Sequence, residues 1–356
     1  MARGVRRAGA EAVTVPMADG GDGTLEVLLG GAGERARVET VLTHGPLGDL
    51  SPPHPARLGW LDRATAAVEL AEAAGIRLLP PGVLDPLGAT SLGLGELVAA
   101  ALDAGARRLI VGLGGSASTD GGAGLLAGLG VRLLDERGEQ IARGGAGLAA
   151  LATVDLSGRH PGLQRCAIDV AVDTTAPLLG PGGAAAVFAP QKGATLAQVA
   201  ELDAALDRLA TVLERAGVAH ALRDQPGAGA AGGCGYALAA VCGATLRGGA
   251  ALVADLVGLD AALDGASLVL TGEGRLDLST GTGKAPREVA IRAAAAGVPC
   301  VVLAGAVITP VDPVYSEAVA LAEGLPLAEA MERGETLLEA AAAAVARRRL
   351  KAGGGG

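Results

Sequence analysis

With 356 residues, a formal charge of −9 and a pI near 5.1, the chain lacks the basic face of a nucleic-acid binder. Two Tyr, one Trp and one Phe leave almost nothing on which bases would stack. The 50% hydrophobic content is mostly Ala, Val and Leu, interrupted every few residues by Gly, Asp or Arg, so no run reaches bilayer length and no membrane partner is expected.

The opening MARGVRRAGAEAV has arginines but no apolar core of a secretory signal, and a cytoplasmic setting is expected. The length predicts two domains. AVTV (Ala12 to Val15) reads as a short β-type run handing over, through PMADGGDGT, to an apolar helical run at TLEVLL. A strand follows within Glu34 to Thr43, then the turn-dense GPLGDLSPPHP. ARLGWL and TAAVEL, separated by Asp62 and Arg63, predict an antiparallel hairpin in an otherwise parallel α/β scheme. A helix over Gly95 to Gly105 feeds the strand RRLIVGLGG, and Cys166 to Asp173 is a further strand. Leu196, Val199, Leu202, Leu206, Leu209 and Leu213 mark one face of an amphipathic helix ended by Gly217. SLVLTGEGR, APREVAIRAAAAG and PCVVLAG form a βαβ unit, and an Ala-rich helix with terminal cations closes the chain. Cys166, Cys234, Cys242 and Cys300 are dispersed and read as small buried hydrophobes. His44, His54, His160 and His220 show no zinc-ligand spacing.

Six Gly-rich loops carry polar or charged side chains: PMADGGDGT, GLGGSASTDGGAG, AVDTTAPLLGPGG, APQKGAT, PGAGAAGG and TGEGRLD. Four follow a predicted strand at its carboxyl end, where open α/β sheets gather ligands. GAGAAG (Gly227 to Gly232) satisfies GxGxxG but follows LRDQP rather than a strand. STGTGKAP departs from the P-loop pattern at Leu278 and Ala285. Ser118 replaces the closing glycine of a nucleophile elbow around Ser116, which disfavours serine hydrolysis.

Only three of the 29 basic residues are Lys, and Lys192 and Lys284 each lie beside a glycine in a loop. A compact ammonium suits a single phosphate oxygen, with chance placement as the competing explanation. Asp173 ends a strand and could hold Mg²⁺ or accept a hydroxyl proton, or it could cap an Asx turn. Asp120 is a ligand group or a helix cap. Glu273, Arg275 and Asp277 form either a surface ion pair or a phosphate and metal clamp. Asp19 and Asp22, set among glycines, would repel bare phosphate and welcome a cation or a hydroxyl.

Taken in order, VPMADGGDGT, HGPLGD, DPLGATSLGLGEL, IVGLGGSASTDGGAG, AVDTTAPLLGPGGA, APQKGAT, PGAGAAGGCGYAL and LTGEGRLDLSTGTGKAP resemble the loops of the class I bacterial glycerate kinases over nearly the whole chain. The resemblance implies ATP-dependent, Mg²⁺-assisted phosphorylation of D-glycerate on its 2-hydroxyl. It implies a glycerate kinase fold of two domains, flavodoxin-like (1–43 and 255–356) and a restriction-enzyme-like mixed α/β domain (44–254), with the site in the cleft. In that picture Asp173, Lys192 and Arg275 are catalytic, with Asp173 and Glu273 on the metal. Asp19, Asp22, Gly114, Gly115, Ser116, Ser118, Asp120, Gly272, Gly274 and Lys284 bind substrate or phosphate; a homodimer is one candidate assembly, the oligomeric state being left open by the sequence. Against the family pattern the chain opens inside the helix preceding VPMADGGDGT, about one βα unit late. The expectation is a start upstream of Met1, the alternative a truncated, inactive homologue that binds glycerate or nucleotide.

Overall fold

The computed structural model describes residues 1–276 and 283–353. They fold as a mixed α/β protein in two compact units, Ala18–Val253 and Met1–Met17 with Ala254–Gly356.

The larger unit is organised by eight strands: β1 (Arg37–Thr43), β2 (His54–Trp60), β3 (Thr65–Glu69), β4 (Arg108–Gly112), β5 (Arg132–Leu134), β6 (Thr153–Asp155), β7 (Ala167–Val172) and β8 (Thr245–Gly248). Six of them form one sheet in the order β1-β2-β3-β4-β7-β8. The hairpin expected from ARLGWL and TAAVEL is present, with Gly59 opposite Ala67 and Trp60 opposite Ala66. From β3 onward all neighbours run parallel. Central strands are covered on both faces, so β4 reads as the continuous apolar run LIVG with every one of those residues buried. The register places Glu69, Gly112 and Ala171 side by side and Val172 beside Gly248. Four strand exits therefore lie along one edge.

Helix Leu92–Asp103 buries Leu94, Leu97, Val98, Ala101 and Leu102 against this sheet. Helix Leu196–Arg215 starts at a capping box in which Thr195 and Gln198 satisfy each other's backbone. Its buried face runs through Leu202, Leu206, Leu209 and Leu213, whereas Leu196 is 87% exposed because the first turn overhangs the core.

Residues 18–43 belong to this larger unit, which corrects the placement of 1–43 with the C-terminal segment. All seven residues of β1 pair with β2, and helix Thr24–Ala32 buries Leu25 and Leu28. A Cβ on Gly59 would lie 2.6 Å from the Leu25 Cδ1, so the helix rests directly on β2.

The smaller unit holds a parallel sheet of β9 (Val269–Leu276), β10 (Cys300–Val307) and β11 (Glu317–Ala320) with β10 in the centre. Alternation divides β10 between two faces. Cys300, Val302 and Ala304 meet Val289, Ala290 and Ala293 of helix Ala285–Ala295, while Val301 and Leu303 meet Ala342 and Val345 of helix Gly334–Gly353. AVTV is not a strand: Val15 and Met17 pack partly buried on this unit's core without joining a ladder. The four cysteines are free and buried, and no helix among the described residues is long and apolar enough to cross a membrane.

Candidate active site

The stretch Asp19–Thr24 lies across the exits of β4 and β7. Gly20 takes a φ of +96°, and a Cβ there would come 2.8 Å from the Ala171 carbonyl oxygen. Both its left-handed backbone and its closeness to β7 call for glycine. The Gly114 N–H donates to the Gly20 carbonyl at 3.1 Å, which ties the loop after β4 to the one before helix Thr24–Ala32. Gly115, at φ +73°, leaves the space that the Asp22 carboxylate fills. Sequence-distant loops thus converge here, with Asp19, Asp22, Gly114, Gly115 and Ser116 in one neighbourhood.

Asp22 is exposed and pairs with Arg77 at 3.2 Å, while Asp19 keeps an Oδ1 within 3.4 Å of the Gly21 N–H. Neither acid is committed to the core. Asp173 follows β7 at the same edge and is exposed. The adjoining turn is closed by the Thr174 hydroxyl, which accepts the Ala176 N–H at 3.1 Å.

Lys192 occupies a different place from the one its loop suggested. It is only 4% exposed, and its Nζ donates to the Ser116 Oγ at 3.2 Å and to the Ser118 carbonyl. Burial lowers its pKa to about 8, opposed by the nearby Cys234 and Asp120. The ammonium props the GGSAS loop from beneath, and the Ser116 Oγ also reaches the Ser118 carbonyl at 3.1 Å. The Ser118 and Thr119 hydroxyls are buried without a hydrogen-bond partner.

Asp120 is fully buried and saturated. Its Oδ2 accepts the N–H groups of Ser91 at 2.9 Å and Gly124 at 3.1 Å, and its Oδ1 accepts that of Gly122 at 3.1 Å. Ser91 Oγ donates to the same carboxylate at 2.9 Å and accepts the Leu125 N–H at 3.0 Å. Such a group holds the loop and has no face left for a ligand, which corrects its assignment as a binding residue.

Sequence reasoning missed Ser91, and it missed Glu69. Glu69 ends β3, is buried, and accepts the Leu25 N–H at 2.6 Å. An acid closing the otherwise apolar TAAVEL was the available signal.

The GxGxxG stretch packs against protein. The Gly232 carbonyl accepts the Gly121 N–H at 2.9 Å, and a Cβ on Gly232 would meet the Ser118 carbonyl. Ala231, Gly232 and Gly233 all have left-handed backbones where the chain enters helix Ala230–Cys242.

In the smaller unit TGEGRL is strand rather than loop. Gly272, Glu273 and Arg275 lie opposite Leu303, Ala304 and Ala306, and Gly274 falls within the same run, because the parallel ladder with β10 continues to Leu276. Glu273 is half-buried and Arg275 exposed. Burial, then the charge of Glu273, pushes the Tyr315 hydroxyl pKa up. Lys284 is exposed as the N-cap of helix Ala285–Ala295, its side chain in solvent rather than in the cap. Asp277 lies outside the described residues.

Among the described residues no cluster of three or more His, Cys, Asp or Glu is arranged to hold a metal. Mg²⁺ typically takes one or two carboxylates together with phosphate oxygens and waters, and exposed single carboxylates such as Asp173 fit that donor set.

The profile of the glycerate kinase family matches residues 1–350. A glycerate kinase of Bacillus subtilis (strain 168) is 42% identical over 93% of this chain and 87% of the relative. The glycerate 2-kinase of Escherichia coli (strain K12) is 42% identical over 87% of this chain and 80% of the relative. A crystal structure described as a glycerate kinase 2, from Salmonella typhimurium LT2, superimposes with a TM-score of 0.85 at 41% identity, covering 99% of this chain and 92% of that one. The chain belongs to the glycerate kinase family.

Proposed function

We propose that this protein transfers the γ-phosphoryl group of ATP to the 2-hydroxyl of D-glycerate, releasing ADP and 2-phosphoglycerate. The observation that carries the reading is the loop Asp19–Thr24 laid over the exits of β4 and β7, with the Asp22 carboxylate against Gly115 and Asp19 on the same loop. Carboxylates within reach of solvent among close-packed glycines suit the hydroxyls of a small acid, and family membership supplies the phosphoryl chemistry. The E. coli relative named a 2-kinase supports the position of transfer.

In such a transfer the glycerate oxygen bonds to the γ-phosphorus as the bond to the bridging oxygen of ADP breaks. The hydroxyl proton passes to a carboxylate, for which Asp173 is our assignment. Positioning and charge neutralisation supply most of the rate. Asp19 and Asp22 orient the glycerate hydroxyls, and the Gly114 and Gly115 backbone with Ser116 lines the same place. Ser118 shapes the loop through its carbonyl, held by Lys192, which acts from beneath rather than on phosphate. In the smaller unit Arg275 and Lys284, exposed cations, are assigned to phosphate charge, with Gly274, whose Cβ position is open, allowing close backbone approach. Mg²⁺ would neutralise the phosphates when bound, with Asp173 of the larger unit as its proposed carboxylate.

A cytoplasmic setting belongs to this reading, since ATP is found there. A homodimer through the edge strand β1 also fits: paired antiparallel about Thr40, exposed Val38 of one copy would face exposed Leu42 of the other. The test is D-glycerate-dependent ADP release with the product identified by phosphorus NMR. We expect 2-phosphoglycerate; nucleotide binding without turnover would favour the inactive alternative.

A further inference from the structure

Glu69 is an ionisable group that the proposed chemistry does not use, buried where burial costs most. It closes β3 opposite Gly112 of β4, and its Cγ lies 3.5 Å from where a Gly112 Cβ would be. From there the carboxylate reaches the first turn of helix Thr24–Ala32, taking the Leu25 N–H at 2.6 Å. Burial raises its pKa, and the like charges of Glu72 and Asp22 add to the rise, against the pull of the Leu25 N–H. Arg57 is engaged elsewhere, with Glu72 and with Glu26 at 3.1 Å.

The free N–H groups of a helix start normally offer an anion site, and the glycines of this turn would let a phosphate approach. Here the protein's own carboxylate takes that place from the inside. Phosphate gains little at such a turn, because the Leu25 N–H is already taken and the local charge is negative. The two acids of the loop, half-buried Asp19 and exposed Asp22, point to the ligand the turn can accept: uncharged hydroxyls that donate to carboxylates.

We infer that Glu69 is a positioning residue which, by standing in for a ligand anion at the start of helix Thr24–Ala32, dedicates the Asp19–Thr24 loop to the hydroxyls of the acceptor substrate and not to the nucleotide phosphates. The inference rests on the glycerate kinase reading. It also explains how loops from residues 19–24 and 112–118 keep one register: a single buried carboxylate sits at the junction of the strands and helix that carry them.

The experiment compares Glu69→Leu, Glu69→Asp and Glu69→Gln with the unaltered protein, in steady-state kinetics against D-glycerate and ATP separately and in amide hydrogen exchange of residues 19–25. Glu69→Asp keeps the charge but is one methylene short of the Leu25 N–H, so it remains informative if Glu69→Leu does not fold. We expect both to raise the KM for glycerate about tenfold or more, in keeping with the cost of slight misplacement, while the KM for ATP stays within about twofold. Exchange at Leu25 should quicken in both. Glu69→Gln, which retains an acceptor oxygen, should recover most of the exchange protection and most of the glycerate KM. Equal rises in both KM values, or unchanged exchange in Glu69→Leu and Glu69→Asp, would overturn the inference. Wild-type protein inactive on glycerate would instead overturn the functional reading, and the exchange data would still decide whether Glu69 holds the loop.

Discussion

Two glycine-rich stretches look interchangeable as sequence: PMADGGDGT at residues 16–24 and PGAGAAGG at residues 226–233. In the first, glycines bring the backbone against strand exits while Asp19 is half-buried and Asp22 exposed. In the second, glycines bring the backbone against Ser118 and Gly121, and what approaches is the protein itself. Glycine content reports close approach, and only the side chains beside it tell whether the approaching group is a ligand. The contrast can be tested by substitution.

The largest effect is expected from Asp19→Asn combined with Asp22→Asn. Turnover at subsaturating glycerate should fall by about 100-fold or more if these acids orient the acceptor, with a melting temperature within about 2 °C of the parent. An equal loss of stability would put the acids in the core's service and break the comparison.

Gly232→Ala should show the reverse pattern. The new Cβ meets the Ser118 carbonyl and approaches the Thr119 Cα to 2.6 Å, on a backbone at φ +67°. A loss of about 2–3 kcal/mol in urea unfolding is expected. Undiminished stability would mean the segment has room for a ligand after all.

Lys192 sharpens the contrast through pH. Its pKa is about 8 in the fold against 10.5 as a free side chain. Between those values the unfolded chain binds more protons, so this group's contribution to stability grows as pH rises from about 8 and is complete near 10.5. Over the same interval the ammonium that props the Ser116–Ser118 loop is lost. Turnover should therefore decline as pH rises through about 8, with a limb absent from the residual activity of Lys192→Met. An unchanged limb in that variant would assign the titration to another group.

The smallest effect belongs to Arg77→Ala. The Arg77–Asp22 pair is solvent-exposed, and such pairs contribute about 0–1 kcal/mol. Glycerate KM should stay within about twofold; a larger change would show that Arg77 touches the substrate.

Much of the fold was legible because burial on both faces leaves uninterrupted apolar runs, as in β4 and β10, and because Thr195 and Gln198 write a helix start in the chain itself. The Asp62–Arg63 interruption likewise marked the hairpin. AVTV misled because an extended apolar run becomes a strand only when a neighbour pairs with it, and local composition carries no record of partners. TGEGRL misled in the opposite direction, since the ladder with β10 runs on to Leu276 and Gly272 packs against the Leu303 carbonyl rather than making a turn. Around the proposed site, the placement of Asp19 and Asp22 among close-packed glycines was visible in the chain itself. The roles of Lys192, Asp120 and Glu69 could not, because each depends on a contact across dozens of residues: Ser116 for Lys192, Ser91 for Asp120 and Leu25 for Glu69.

Calorimetric titration of D-glycerate, and separately of Mg·ATP, into the parent protein and the Asp19→Asn, Asp22→Asn double variant tests the central claim most directly. If the loop over β4 and β7 receives the acceptor, glycerate binding weakens at least about tenfold in the double variant while nucleotide binding is kept. Glycerate affinity equal in the two proteins would contradict the account.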